Sequence, residues 1–293
     1  MFAYLVKEDE HFDVNFACAQ LSSSLKCKFQ KLYEGEIDNN RGALYRVALN
    51  EQHMHTINNL RDFLDYDILL SEKFPRLDEK GQLCLDMDMT SVQIEGIDEL
   101  ARRLGVFDKV SSITHSAMEG HLDFNESLIR RVSMLKGGSV EVINEVRNTM
   151  PETPGLNSLL TLVKTHGWVT GICSGGFEQL ISALDEKYHF DLICANSLEI
   201  ADGYLTGKVD KRIVNADVKS EGVLSLKEKF NIRQEQIIVV GDGANDLKMI
   251  EIAGLGVAYH AKTVVQKNAP FALNHSSLAA LTLLLELFNH VEE

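Results

Sequence analysis

Three short segments of this chain concentrate residues able to do chemistry. They are Asp86-Met87-Asp88-Met89-Thr90, Ser174-Gly175-Gly176 and Gly241-Asp242-Gly243-Ala244-Asn245-Asp246. Four aspartates brought to one place would repel one another strongly unless a divalent cation neutralised them. Hard oxygen ligands with a phosphate nearby favour Mg²⁺ over softer metals. An Asp-x-Asp pair alone is a weak signal, since two acids after a strand are commonly solvated turn residues or a helix cap. Its combination with a second acid pair and a glycine-rich turn outweighs that reading. Ser174 precedes an expected helix and could cap it. Gly175 and Gly176 would also let backbone N–H groups approach a phosphate at that helix N-terminus. Ser-Gly-Gly-Phe does not match Gly-x-Ser-x-Gly, so Ser174 is not read as a nucleophile.

The elements that must position these groups follow from periodicity. Leu83-Cys84-Leu85 predicts a short buried strand running directly into Asp86. Strands are expected over 168–173, 191–200, 236–241 and 256–259, and helices over 156–167, 177–188, 220–230, 246–253 and 277–291. Such alternation implies a parallel sheet covered on both faces, with ligands bound outside the carboxyl ends of the strands. All three polar segments fall at strand ends. Between Gly96 and Met150 four helical patterns occur without a strand, which predicts an inserted helical lobe ended by Pro151 and Pro154.

The first 70 residues read differently, as strand, helix, strand, strand, helix, strand. That order is the pattern of a ferredoxin-like α+β sandwich. The polar stretch 71–81, with Pro75 and Gly81, reads as a linker. The expected domains are therefore residues 1–72 and 73–293.

Composition narrows the function classes. A net charge of −14 without a basic run argues against a nucleic-acid partner. No apolar run reaches the length of a membrane span, and the first twenty residues carry no secretory pattern. Five cysteines, none spaced Cys-x-x-Cys, argue against a disulfide framework and a zinc site, and fit a reducing cytoplasm.

The three segments, with Lys219 between the last two, resemble the haloacid dehalogenase superfamily of phosphatases, whose nucleophile is an aspartate. The likeness covers about residues 82–270 and continues through 95–101, 117–128, 130–137 and the hairpin 202–207, which are similar to the branch acting on O-phosphoserine. It implies a Rossmann-like three-layer α/β core with a helical-bundle cap inserted at about 92–150, preceded here by the ferredoxin-like (ACT-like) domain. The activity it implies is Mg²⁺-dependent hydrolysis of O-phospho-L-serine to L-serine and phosphate through an aspartyl phosphate, the last step of serine biosynthesis.

Carried over by position, Asp86 is the nucleophile and Asp88 the general acid and base. Asp86, the Asp88 carbonyl and Asp242 hold the metal, and Asp246 supports its water shell. Ser174, Gly175 and Lys219 bind phosphate. Glu95 and Arg131 bind the substrate's ammonium and carboxylate, and Met118, Phe124 and Asn245 complete its site. Met89 departs from the family, which usually has Ser there. Two rivals are weighed: a relative acting on another small phosphomonoester or passing the phosphoryl group to another alcohol, and a receiver-type signalling module. Asp88 and the helical insertion argue against the second. A homodimer is left open.

Overall fold

The structure is a computed structural model that describes residues 1–118, 122–210 and 212–292, with the side chains of residues 58, 59, 62, 117 and 118 outside the description. At the amino terminus, β1 (Phe2–Glu8), α1 (Val14–Leu25), β2 (Phe29–Ile37), β3 (Asn40–Val47), α2 (Glu51–Leu60) and β4 (Asp67–Ser71) follow in βαββαβ order. The strands form a four-stranded sheet, β2-β3-β1-β4, in which β1 pairs antiparallel with both β3 and β4. Local chemistry sets both helix starts: the Asp13 carboxylate accepts the N–H groups of Asn15 and Phe16, and Asn50 and His53 form a reciprocal capping box. Alternation along the strands sends Ala3, Leu5, Ala43, Tyr45 and Ile68 into one core with Val14, Ala17, Leu21 and Ile57 of the helices.

The rest of the chain supplies β5 (Gln82–Leu85), α3 (Gly96–Arg103), α4 (Phe107–Met118), α5 (Phe124–Ser133), α6 (Glu141–Arg147), α7 (Leu156–Thr165), β6 (Val169–Phe177), α8 (Glu178–Tyr188), β7 (Leu192–Asn196), β8 (Leu198–Ala201), β9 (Tyr204–Val209) and α9 (Ala216–Phe230). It ends with β10 (Ile237–Gly241), α10 (Leu247–Glu251), β11 (Leu255–Tyr259), α11 (Thr263–Asn268), β12 (Phe271–Leu273) and α12 (Ala279–Asn289). Six strands form one sheet in the order β12-β11-β10-β5-β6-β7, with parallel pairing of β10 to β11, β11 to β12 and β6 to β7. β5, β10 and β11 are buried along their whole length, as strands covered on both faces must be. Helices α3 to α6 are the four expected in the insertion. β8 and β9 make a separate antiparallel hairpin. Among the described residues no helix is long and apolar enough to cross a membrane.

Two compact units result, one of residues 1–83, 153–169 and 231–293, the other of residues 84–152 and 170–230. Within the first unit, the second face of the amino-terminal sheet is also covered. Tyr4, Leu44 and Leu69 are buried there, α12 lies along β2 and β3, and the Tyr4 hydroxyl donates to the Ala280 carbonyl at 2.9 Å. Asn40 is fully buried; its Nδ2 donates to Ser277 Oγ at 2.7 Å and its Oδ1 accepts the Ser277 N–H at 3.1 Å.

Stretch 71–81, expected to be a linker, is instead anchored. Phe74 is buried with its ring 5.6 Å from Phe288 and 6.4 Å from Phe271, and Arg76 donates to the Val291 carbonyl and exchanges two hydrogen bonds with Gln236. Its polar composition hid one aromatic anchor. The strand expected over 191–200 divides into β7 and β8. Helix α9 begins four residues before the expected start, because the Asn215 carboxamide accepts the N–H groups of Asp217 and Val218. The carboxyl-terminal α11 and β12 were not anticipated, being too short for periodicity to register.

The Asn40 bridge generates a test. Asn40→Ala strands a buried Ser277 N–H, so stability should fall by about 1–3 kcal/mol, read as a lower urea midpoint at unchanged slope. An unchanged midpoint would mean that the bridge contributes nothing.

Candidate active site

Asp86 is the first residue after β5. Its main-chain carbonyl accepts the Ser91 hydroxyl at 2.6 Å, and the Met87 carbonyl accepts the N–H groups of Ser91 and Val92, which folds the chain back tightly behind the strand. The turn holds Met89 in the left-handed region at φ 54°, with its side chain 42% exposed. The departure from the usual Ser therefore points outward and does not fill space beside Asp86.

Lys219, in the first turn of α9, is 0% exposed, and its ammonium stands 3.0 Å from Asp86 Oδ1. Asp86 is itself buried, 4% exposed, and that oxygen meets the ammonium as an ion pair. A lysine without solvent is tolerated only beside negative charge.

Asp88 lies two residues on. Its Oδ1 accepts the Gly96 N–H at 3.0 Å. Burial, followed by the charges of Glu95 and Asp86, pushes the Asp88 carboxyl well above the usual carboxylate range, while the Gly96 amide and Lys219 oppose the rise.

β6 continues through Ser174, Gly175 and Gly176, so Ser174 lies within the last part of a strand and does not cap α8; the capping position is Phe177, which makes no side-chain cap bond. The buried Ser174 Oγ accepts the Gly176 N–H at 2.9 Å. A Cβ at Gly176 would stand 2.9 Å from Met87 Cε and 3.2 Å from both Asp88 Oδ2 and Ser174 Oγ, so a side chain there would displace the end of Met87 and crowd Asp88 and Ser174. Asn196, at the end of β7, ties this loop down: its Nδ2 donates to the Gly175 carbonyl at 2.8 Å and its Oδ1 accepts the Val214 N–H at 2.9 Å.

After β10, the fully buried Asp246 accepts the Gly243 N–H at 2.9 Å. Asp86, Asp242 and Asp246 each offer a carboxylate oxygen, all within 4.8 Å of one another. This is a candidate metal-coordinating cluster of hard oxygen donors, of the kind that suits a divalent cation. Asn245 occupies the same single turn of 3-10 helix, half-buried.

Arg131, on α5, is held among acids. Burial lowers the pKa of its guanidinium, while Glu95, Asp98 and Asp88 oppose that change, and its buried Nε has no hydrogen-bond partner. Burial also raises the Asp98 carboxyl, against the pull of Arg131. Glu95 is exposed and Phe124 half-buried at the start of α5. The Met118 side chain lies outside the described residues. Three contributors escaped sequence reasoning. Asn196 ends β7, close to the carboxyl end of a strand as Asp86 and Ser174 are, and Asp98 follows Glu95 at helical spacing, so both left a signal. The Gly96 amide left none.

A family model of haloacid dehalogenase-like hydrolases matches residues 83–254. Phosphoserine phosphatase of Haemophilus influenzae is 42% identical over 222 residues, covering 76% of this chain and 71% of that one. A haloacid dehalogenase family hydrolase of Salmonella enterica, solved as a crystal structure, aligns over 100% of both chains with a TM-score of 0.87 and 32% identity. A phosphoserine phosphatase solved with substrate bound aligns over 71% of this chain and 99% of its own, with a TM-score of 0.66 and 34% identity. With its parallel sheet, its helical insertion and the acids at its strand ends, the chain belongs to the haloacid dehalogenase-like hydrolases and, among them, to the phosphoserine phosphatases.

Proposed function

We propose that the chain hydrolyses O-phospho-L-serine to L-serine and phosphate, with the Asp86 carboxylate as nucleophile. The observation that carries this is the buried Asp86–Lys219 pair, 3.0 Å apart, with Asp86 following β5 and Ser174 on the neighbouring strand β6. The Ser174 hydroxyl, the Gly175 N–H and Lys219 bind the phosphoryl oxygens and offset their charge. Asp86 attacks phosphorus, and the bond from phosphorus to the serine oxygen breaks. That alkoxide is strongly basic, so Asp88 delivers a proton to it as it leaves. Asp88 then takes a proton from the water that attacks the phosphorus of the aspartyl phosphate, and Asp86 is released.

Asp86, the Asp88 carbonyl and Asp242 would hold Mg²⁺, with Asp246 behind them. When bound, the ion supplies positive charge that lets a dianion approach the carboxylate. In the helical insertion, Glu95 receives the substrate ammonium and Arg131, with its free Nε, the carboxylate, with Phe124 and Asn245 beside them. The strand order β2-β3-β1-β4 supports reading residues 1–72 as a ferredoxin-like module and 73–293 as the phosphatase domain, its cap at about 92–150.

Chelation should abolish phosphate release and Mg²⁺ should restore it, with Asp242→Ala mimicking chelation. Undiminished turnover in excess chelator would reject the ion. Arg131→Ala removes one charge-assisted contact worth about 1.5–3 kcal/mol and should raise KM for phosphoserine by roughly one to two powers of ten. Phosphoethanolamine, which lacks the carboxylate, should be spared; equal damage to both substrates would assign Arg131 elsewhere. Asp88→Asn should slow phosphoserine turnover by about 10²–10⁴, yet leave the first phenolate released from an aryl phosphate fast, since that group departs without a proton. A first phenolate slowed as much as phosphoserine turnover would remove Asp88 from the acid role.

A further inference from the structure

Directly beneath the phosphate loop lies a row of thiols that the proposed hydrolysis does not use. Cys84, Cys173 and Cys194 sit on the adjacent strands β5, β6 and β7, and the Cys173 thiol is hydrogen-bonded to both of the others. Cys173 and Cys194 are direct partners in the parallel ladder, so their side chains leave the same face of the sheet. Neighbouring strands run about 4.8 Å apart, inside the span of about 4.4–6.8 Å that a disulfide bridges between Cα atoms. Helix α9 covers the pair at Gly222. A Cβ there would stand 3.0 Å from Cys173 Sγ and 3.3 Å from Cys194 Sγ, so both sulfurs crowd one point under the helix.

The two differ in access. Cys173 is buried and Cys194 half-buried. The hydrogen bond with Cys173, and then the nearby Lys219 and Arg212, lower the Cys194 pKa against the opposing effects of burial and Glu221. Cys194 is thus the more accessible thiol and the one whose pKa is lowered, and Cys173 is the partner held beside it.

We propose that Cys173 and Cys194 are a peroxide-sensitive pair whose disulfide turns the active site off. The Cys194 thiolate attacks one peroxide oxygen and the O–O bond breaks, giving a sulfenic acid and hydroxide. The Cys173 sulfur then attacks the Cys194 sulfur, water leaves, and the S–S bond forms. Two thiols and one hydrogen peroxide become one disulfide and two waters. Closing to an S–S bond of about 2.05 Å draws together the ends of β6 and β7. Cys173 immediately precedes Ser174, Asn196 lies two residues beyond Cys194, and Lys219 stands one turn before Gly222. Displacements near 1 Å at such groups cost about a hundredfold in rate. The loss of activity rests on the site reading above; formation of the disulfide does not.

The Mg²⁺-loaded enzyme would be treated with hydrogen peroxide, blocked with an alkylating agent, cut by trypsin without reduction and analysed by mass spectrometry. Cleavage after Lys187 separates the two cysteines, so the disulfide appears as a linked peptide pair. We expect a Cys173–Cys194 link, a fall in phosphoserine turnover of roughly ten- to a hundredfold, and recovery with dithiothreitol. Cys194→Ser should keep the turnover of the reduced enzyme and resist peroxide, whereas Cys18→Ser and Cys27→Ser should remain sensitive. A link to Cys84 instead, inactivation that dithiothreitol does not reverse, or undiminished sensitivity in a folded Cys194→Ser would overturn the proposal. Absence of turnover before oxidation, with the link still formed, would indict the site reading and leave the pair standing.

Discussion

A lysine with no exposure to water holds its ammonium 3.0 Å from a carboxylate at the end of a buried strand. Neither group is stable there alone, since removing one partner of a buried pair leaves an uncompensated charge costing about 3–5 kcal/mol. The pair therefore ties the start of α9 to the end of β5, and much of the surrounding architecture exists to make that approach feasible. Asn215 starts the helix early enough to place Lys219 in its first turn. The Ser91 hydroxyl closes the turn that aims Asp86. The pairing also fixes the Asp86 carboxylate at the end of β5, where a nucleophile is needed.

Around that pair, negative charge accumulates beyond what one lysine offsets. Asp242 and Asp246 bring carboxylate oxygens within 4.8 Å of Asp86, and Asp88 adds a fourth acid two residues along. The Asp88 carboxyl is driven upward by burial first and then by the charges of Glu95 and Asp86. Such a cluster is costly in the resting protein and useful only where a cation and a phosphoryl group arrive together. Glycine at 176 answers a different demand, since a side chain there would push the end of Met87 aside and crowd both Asp88 and Ser174.

Most of the core and of the site could be read from the sequence, because both depend on short-range pattern. Buried parallel strands announce themselves as apolar runs, and the acids that follow them are placed by the strand itself. The four insertion helices and the βαββαβ order of the first 70 residues were legible for the same reason. What escaped depends on tertiary partners. Stretch 71–81 is polar, yet Phe74 packs between Phe271 and Phe288 and Arg76 bonds to Val291 and Gln236, which pins it. Ser174 looked like a helix cap until β6 proved to run three residues further. Asn196 and Asp98 carry only weak local signals, because what they do depends on partners distant in sequence or on another helix.

The central claim is that Asp86, held by its pairing with Lys219, becomes covalently phosphorylated in each turnover. Rapid quenching of the Mg²⁺-loaded enzyme with phosphate-labelled O-phosphoserine, followed by digestion and peptide mapping, tests it directly. The account predicts transient label on the Asp86 peptide, stable to acid and released by hydroxylamine, that rises and decays within one turnover. Label on Ser174, or no covalent label at any time during the first turnover, would contradict it.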